Sequence, residues 1–517
     1  MTFKRYFYSW VWLILLIAAC KPEQPSVKLP RSTPESEGVS SEGILSFLNA
    51  IDTSKHEFHS FIFLRHGKVI VEGWWDPYGP ELKHTLYSTS KSFTSTAVGF
   101  AVSEKKLSVD DKVVSFFPEI LPDTVSPFLE EMKVKDLLTM TAGQAPDPTG
   151  LVVSKDSNWA KGFLALPIVD EPGTKFLYNS LATYMLSAIV QKITGQKIID
   201  YLTPRLFEPL VITGIDWEVD PRGINTGGWG LRLKTEDMAK FGQLYLQKGN
   251  WQGRQVLPAE WIEEATTAKI DQAPDAPQAR KDSSDWMQGY CYQFWRCRHN
   301  AFRADGAFGQ FIIIMPDQDA VVAITAETSD MQSELNLVWE YLLPAIQDEE
   351  LPANETIKAA LNQKLASLAL PVPAREPNPQ VVKDISGKTY TLQPNEKKIK
   401  SMFFHFMEDM CHLTLKTDDD VAYNLTFGAG NWQTGETARP GPYLVSGAKA
   451  ALTGLPPFKV AGCYTWKDDH TLELTLRYIE SPHTERITCH FDQKDITVNF
   501  ISSFNPLARG PEIRGSM

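Results

Sequence analysis

Ser88 and Lys91, three residues apart in Ser88-Thr89-Ser90-Lys91, can do covalent chemistry without a histidine. Side chains at that spacing share a helical face, so the lysine amine reaches the serine hydroxyl. A lysine taken out of water gives up its charge more easily and becomes a base for that hydroxyl. The Ser-x-x-Lys spacing occurs three times, as Ser88/Lys91, Ser103/Lys106 and Ser446/Lys449, and context separates them. The second lies in the charged stretch Glu104-Lys105-Lys106, which reads as a solvated helix end. The third lies in a Gly/Pro-rich loop. Only the first runs into the apolar and small-residue stretch Phe93 to Val102, which predicts a buried helix and the dry setting a reactive Ser–Lys pair needs.

Further segments follow in order. Leu137 to Gly143 (LLTMTAG) comes first, and Pro172 to Ser180 (PGTKFLYNS) then places Tyr178 at the head of a predicted helix. Gly227-Gly228-Trp229-Gly230-Leu231 precedes Thr235-Glu236-Asp237-Met238, and Asp305 to Gln310 (DGAFGQ) opens a strand. With Ser88-Thr89-Ser90-Lys91 this series resembles the serine β-lactamase and penicillin-binding-protein superfamily. It looks closest to the class C-like branch, which also contains esterases, D-amino-acid peptidases and 6-aminohexanoate-dimer hydrolases. The resemblance covers Glu35 to Gln347. It implies Ser88 as nucleophile, Lys91 as its basic partner, and Tyr178, of the family's Tyr-x-Asn motif, as the group that shares a proton with Lys91 and delivers it to the leaving group. A phenol beside an ammonium ionises more readily, so the two read as a proton relay. The resemblance also implies an oxyanion hole from the backbone N–H groups of Ser88 and Ala307. Gly306 lets the strand come close to the substrate.

Two positions depart from the family pattern. Its third motif, Lys-Thr-Gly or His-x-Gly, is here Ala304-Asp305-Gly306. The cation and hydroxyl that hold a substrate carboxylate are missing, and Asp305 adds negative charge. Strand alternation points Arg303 to the face opposite Ala304. Ser180 stands where asparagine is usual, and its hydroxyl can still hydrogen-bond the lysine or substrate. Each residue also has a plainer reading: Tyr178 as a packed aromatic, Ser180 as a helix N-cap, Asp305 as a turn cap. Trp229 reads equally as a cleft wall or as core. The expected function is a serine hydrolase that cleaves an ester or amide of a small molecule through an acyl-Ser88 intermediate, without a cofactor or metal. The alternative is a catalytically weak relative serving as a binding or sensor lipoprotein. Keeping Ser88, Lys91 and Tyr178 together favours the enzyme. An α/β-hydrolase is excluded, because the chain has no Gly-x-Ser-x-Gly elbow.

The elements that must position these residues read as α+β. Phe61 to Val71 predicts a hairpin around His66-Gly67. Helices are predicted at Lys133–Thr141, Tyr178–Ile193, Thr235–Gln247 and Pro258–Ala268. Strands follow at Phe311–Met315 and Ala320–Thr325, then an amphipathic helix over Leu335–Ile346. This is one antiparallel sheet flanked by helices, over residues 35–347. Residues 348–381 form a connector carrying Pro371, Pro373, Pro377 and Pro379. Residues 382–517 then alternate with period two, in five strands around Cys411–Leu415, Val421–Phe427, Leu472–Tyr478, Ile487–Phe491 and Ile496–Phe500. They predict an all-β barrel or sandwich. The proline-rich connector implies a separate core, so this β domain is expected to be dispensable for the chemistry.

The chain has 517 residues, too many for one ordinary domain, with 51 basic against 63 acidic side chains. A net charge of −12 reads as solubility and gives no basic footprint for nucleic acid. Residues 1–19 carry Lys4 and Arg5 and then the apolar run Tyr6 to Ile17, of signal-peptide length. Ile17-Ala18-Ala19-Cys20 resembles a bacterial lipobox. This implies cleavage before Cys20, lipidation of that cysteine and a cell-envelope protein anchored to the membrane, with residues 20–34 as tether. An ordinary signal peptide with an incidental cysteine is the other reading. Cys291, Cys297, Cys411, Cys463 and Cys489 read as core or disulfide cysteines, and the first two are close enough in sequence to pair. The histidines of the β domain, His405, His412, His470, His483 and His490, read as scattered surface or strand residues.

Overall fold

Two residues with positive φ, His66 at 51° and Gly67 at 73°, fold the chain back between β1 (Glu57–Arg65) and β2 (Lys68–Trp74). This is the two-residue turn whose twist suits a hairpin. In the computed structural model, which describes residues 28–445, 455, 457–505 and 510–517, β1 also pairs antiparallel with a strand from far along the chain. The lipobox-like segment with Cys20 and the Ser446/Lys449 spacing lie outside the described residues.

The first sheet has six strands. They are β1 and β2, then β3 (Trp295–Arg296), β4 (Phe302–Gly306), β5 (Gln310–Met315) and β6 (Ala320–Glu327), in the order β2-β1-β6-β5-β4-β3. Every described pairing in it is antiparallel. β1, β5 and β6 are buried along nearly their whole length, because both faces are covered. One face, with Ile62, Leu64, Ile312 and Ile314, shares a core with helix α2 (Ser90–Ser103), α3 (Ser180–Thr194) and α4 (Thr235–Leu246). The other face, with Phe61, Phe63, Phe311 and Ile313, packs under α1 (Ser41–Thr53) and α5 (Met331–Leu337).

The helix expected over Leu335–Ile346 is not one α-helix. After α5 the turns widen over Val338–Leu342 and tighten over Leu343–Ala345. Pro344 lacks an N–H and crowds the preceding turn, so regular α-geometry stops there.

The connector is a helix, α6 (Glu355–Ala366), followed by irregular chain. Leu361, Leu368 and Leu370 are buried in the core of the first sheet, and Leu370 N–H donates to Asp76 O at 2.8 Å. Beyond it come β7 (Lys388–Leu392), β8 (Ile399–Met407), β9 (Met410–Thr417), β10 (Ala422–Ala429), β11 (Gln433–Thr437), β12 (Phe458–Trp466), β13 (Thr471–Tyr478), β14 (Thr484–Asp492), β15 (Asp495–Ser502) and β16 (Ile513–Ser516). The order β10-β9-β8-β7-β16-β15-β14-β13-β12 closes on itself through a parallel β10–β12 pairing at Gly428 and Ala429. The result is a nine-stranded barrel, with β11 attached to β12 outside the ring. Closure leaves no open edge in the ring. Tyr390, Phe404, Leu413, Leu474 and Phe491 fill its interior.

The barrel has its own core, but it is not detached from the first sheet. Ala461 and Ile479 of the barrel are buried in the core under that sheet. Arg477 of β13 forks onto both carboxylate oxygens of Glu57 in β1, and Tyr78 donates to Ser481 O at 3.0 Å. Thr85 N–H donates to Glu480 O at 2.9 Å, only three residues before Ser88. These contacts join the barrel to the first sheet and reach the segment that leads into Ser88.

Candidate active site

The chain enters the site through Tyr87, whose φ of 46° is a strained value for a non-glycine residue. Tyr87–Thr89 form a single tight turn that runs straight into α2. Ser88 is half-buried at this helix head, while Ser90 to Ala101 behind it are buried. The helix is richer in hydroxyls than an ordinary core helix, and neighbouring carbonyls satisfy most of them. Ser90 donates to Tyr87 O (2.6 Å), Ser92 to Gln293 O (2.7 Å) and Thr94 to Gly227 O (2.9 Å). These bonds tie α2 to the loops around it. The second motif sits as its composition suggests: Lys106 is exposed and pairs with Glu104 at 2.7 Å.

Lys91 is the hub. Its Nζ lies 3.0 Å from Ser88 Oγ, 2.9 Å from Ser180 Oγ and 2.6 Å from Gly228 O. Its side chain is almost wholly removed from water. Burial pulls its pKa from 10.5 down to about 7, against the opposing pull of Asp147 and Asp305. A neutral amine has two N–H groups and one lone pair. Gly228 O can only accept, and Ser180 Oγ can accept the second N–H, so the lone pair is left for the Ser88 hydroxyl proton. The trio is arranged for the amine to act as a base on Ser88.

Ser180 does not cap its helix. Asn179 does, accepting from Leu181 N–H (3.0 Å) and Ala182 N–H (3.2 Å) and donating to Gln144 Oε1 (2.6 Å). That leaves the Ser180 hydroxyl, on the first turn of α3, free for Lys91. Tyr178 is half-buried with its hydroxyl facing Ser88, and Lys91 Nζ lies 4.9 Å from its ring centroid. Its ring stacks on Trp295 (5.8 Å, 25°) and meets Tyr290 edge-on (6.5 Å, 87°). Burial raises its pKa above the ordinary value, the contact with Ser88 opposes that, and Asp305 and Asp147 add to it. Burial thus opposes the ionisation of the phenol on which the expected relay relies. Burial of the Lys91 amine works the other way and favours its neutral form.

Gly306 ends β4 against the turn that carries Ser88. A side chain there would put its Cβ 2.2 Å from Leu86 O and 2.8 Å from Thr89 Oγ1, so only glycine permits this approach. Thr89 Oγ1 donates to Gln310 O at 2.8 Å, and Gln310 Nε2 donates to Ala307 O at 3.1 Å, which fixes the Gly306–Gly309 hairpin beside the turn. Among the described residues the Ala307 N–H donates to no protein acceptor.

Asp305 is the main departure from expectation. Arg303, wholly buried, donates from Nε to Asp305 Oδ2 at 2.8 Å, and its guanidinium lies 4.3 Å from the Trp286 ring centroid. Burial raises the pKa of Asp305 and Arg303 opposes that rise. In either protonation state the pair carries no net negative charge, so the expected repulsion of a substrate carboxylate by Asp305 is corrected. Arg303→Met would leave Asp305 buried without its partner. The expected loss is about 3–5 kcal/mol of folding stability, read from a denaturant midpoint, and a loss under about 1 kcal/mol would show that the pair is not structurally important.

Trp229 is core: 2% exposed, it packs 5.8 Å from Trp159. Cys291 and Cys297 are free thiols, as are the other three described cysteines, and all five are buried. Reading the sequence missed the Gly228 carbonyl, which no side-chain motif reports. It also misplaced His483, which is wholly buried between the barrel and the Ser88 turn.

The comparisons agree with this fold. The family model described as Beta-lactamase matches residues 59–344, and the chain belongs to that family. The 6-aminohexanoate-dimer hydrolase of Paenarthrobacter ureafaciens is 25% identical over 284 residues, covering 51% of this chain and 71% of that protein. Protein flp of Staphylococcus aureus (strain COL) is 26% identical over 167 residues, 30% of this chain and 33% of its own length. A solved Bacillus anthracis structure, provisionally described as a 6-aminohexanoate-dimer hydrolase, superimposes with a TM-score of 0.51 at 19% identity. It covers 63% of this chain and 89% of that one, a likeness of fold. The chain is thus a β-lactamase-fold member of a hydrolase family.

Proposed function

We propose that this protein is a serine hydrolase that cleaves an ester or amide of a small molecule through an acyl-Ser88 intermediate. The observation that carries the reading is the Lys91 hub, an amine held near pKa 7 with its lone pair left for Ser88. Ser88 Oγ attacks the carbonyl carbon as its proton passes to Lys91 Nζ. The negative charge on the carbonyl oxygen is met by the N–H groups of Ser88 and Ala307. As the tetrahedral adduct collapses, Tyr178 gives its proton to the leaving group and Lys91 resupplies it. Water then enters and attacks the acyl carbon as it loses a proton to Lys91, and the adduct collapses as Lys91 returns that proton to Ser88 Oγ, releasing the acid.

Substrate class follows from charge. Ala304 is fully buried and offers no cation, and Arg303 is committed to Asp305 and Trp286. Beside Tyr178 stands the half-buried Phe176, and both rings are backed by the buried Trp295 and Tyr290, so the surroundings of Tyr178 are aromatic and apolar. Neutral esters and amides are the favoured substrates. A p-nitrophenyl ester is expected to turn over at least about tenfold faster than nitrocefin or a D-Ala-D-Ala peptide, since an unmet carboxylate costs binding. Restoring the family's cation by Ala304→Lys with Asp305→Thr would bury an ammonium and strand Arg303, so that exchange is expected to disrupt folding. Efficient nitrocefin hydrolysis by the unaltered protein would overturn this substrate class.

A further inference from the structure

A single buried histidine of the barrel touches both sides of the oxyanion pocket. His483 lies between β13 and β14 and is wholly buried. Its Nε2 is 2.5 Å from the Tyr87 hydroxyl, and its Nδ1 is 2.7 Å from Glu327 Oε1 at the end of β6. Glu327 Oε1 also accepts from Ser503 Oγ at 2.6 Å. The protons can be placed in order. With the imidazole in its Nδ1–H tautomer, the Glu327 carboxylate accepts from Nδ1–H and Nε2 accepts the Tyr87 O–H. Burial keeps that phenol proton in place by raising the Tyr87 pKa.

Tyr87 precedes Ser88 and holds a positive φ that needs outside support. The same imidazole meets Phe308, the residue after Ala307, edge-on at 4.8 Å and 89°. Phe308 in turn lies 5.6 Å from the Tyr87 ring, and Phe504 of the barrel closes the cluster, 4.6 Å from His483 and 5.8 Å from Phe308. One side chain therefore contacts the neighbours of both N–H groups assigned to the oxyanion hole.

We propose that His483 is a positioning residue supplied by the barrel: through Tyr87 on one side and Phe308 on the other, it fixes the distance between the Ser88 and Ala307 N–H groups. The proposal rests on the reading of Ser88 as nucleophile. It gives the barrel a task in catalysis, because a small displacement of either donor weakens transition-state binding far more than substrate binding.

The full-length protein tests this with Tyr87→Phe, His483→Leu, His483→Gln and the double variant Tyr87→Phe/His483→Leu. Turnover of a p-nitrophenyl ester is expressed per Ser88 labelled by a fluorophosphonate, so misfolded molecules do not count. Tyr87→Phe and His483→Leu should each lower kcat by about tenfold or more, with KM changed by less than about twofold. His483→Gln, which can still donate to Glu327 and accept from Tyr87, should recover most of the loss. The double variant should be no slower than His483→Leu alone, because both remove one interaction. Unchanged kcat per labelled site in the single variants would overturn the proposal, as would losses that multiply in the double variant. If His483→Leu fails to fold, Tyr87→Phe decides, since it keeps the ring and removes only the hydroxyl. Ser88→Ala run in parallel separates the two readings. Turnover that survives Ser88→Ala removes the nucleophile assignment, whereas turnover that needs Ser88 but ignores Tyr87 and His483 removes only this one.

Discussion

Ser88→Ala is expected to abolish fluorophosphonate labelling and to lower ester turnover by on the order of 10,000-fold or more, down to the background rate. The substitution removes one half-buried oxygen. Lys91 keeps its bonds to Ser180 Oγ and Gly228 O, so the helix head has no reason to move. The thermal midpoint should therefore stay within a few degrees of the parent, and the loss will be chemical. The competing described serine in the same spacing, Ser103, sits at the far end of α2, where Lys106 is exposed and engaged by Glu104. That lysine stands in water, away from the Ser103 hydroxyl, which donates to Phe100 O. Labelling that persists in Ser88→Ala, mapped by peptide mass to another serine, would sink the assignment of the nucleophile.

The parts of this site that were legible in the sequence are those set by local spacing. Ser88 and Lys91 share a helix face whatever surrounds them, and His66-Gly67 can only make a tight turn. Ser180 was legible as a partner of Lys91 because it stands at the third position of the Tyr-x-Asn motif, two residues after Tyr178. What the sequence hid is long-range. The Gly228 carbonyl is backbone and carries no residue signature. The Arg303–Asp305 pair follows from two side chains on one face of β4, and strand alternation could have found it. Arg303 and Asp305 stand two residues apart on β4, opposite Ala304.

Half of the barrel was also hidden, and for two physical reasons. β8 carries Phe403 and Met407 on its outer side, alternating with the inward Met402, Phe404 and Phe406, which blurs the period of two. β12 is buried over most of its length, because the connector and the first sheet cover its outer face. A strand buried on both sides no longer alternates. His483 failed for the same reason. Its neighbours in sequence are Ser481, Pro482 and Thr484, which look like an exposed turn, and the groups that bury it are Tyr87, Phe308 and Glu327 from the other unit.

The Lys91 amine should set the pH dependence of the reaction. Lysine's ordinary value is 10.5, and burial brings Lys91 to about 7. The reactive form is the neutral amine, so kcat/KM should fall as pH drops through 7 and level off above it. Tyr178 is shifted the other way, above its ordinary value, and acts with its proton on, so it should add no falling limb below about pH 9. Lys91→Met keeps the length and apolar bulk of the stem but removes the base. Turnover should drop by about a thousandfold, while labelling by a reactive fluorophosphonate slows without vanishing, because Ser88 remains. The limb near pH 7 should disappear from the residual rate. Tyr178→Phe should lose less, and its limb near pH 7 should stay, because that limb belongs to Lys91. This difference separates the two candidate bases. A limb that survives Lys91→Met but is lost in Tyr178→Phe would make the phenol the base, and the geometry around Lys91 would then serve only to hold Ser88 and Ser180 in place.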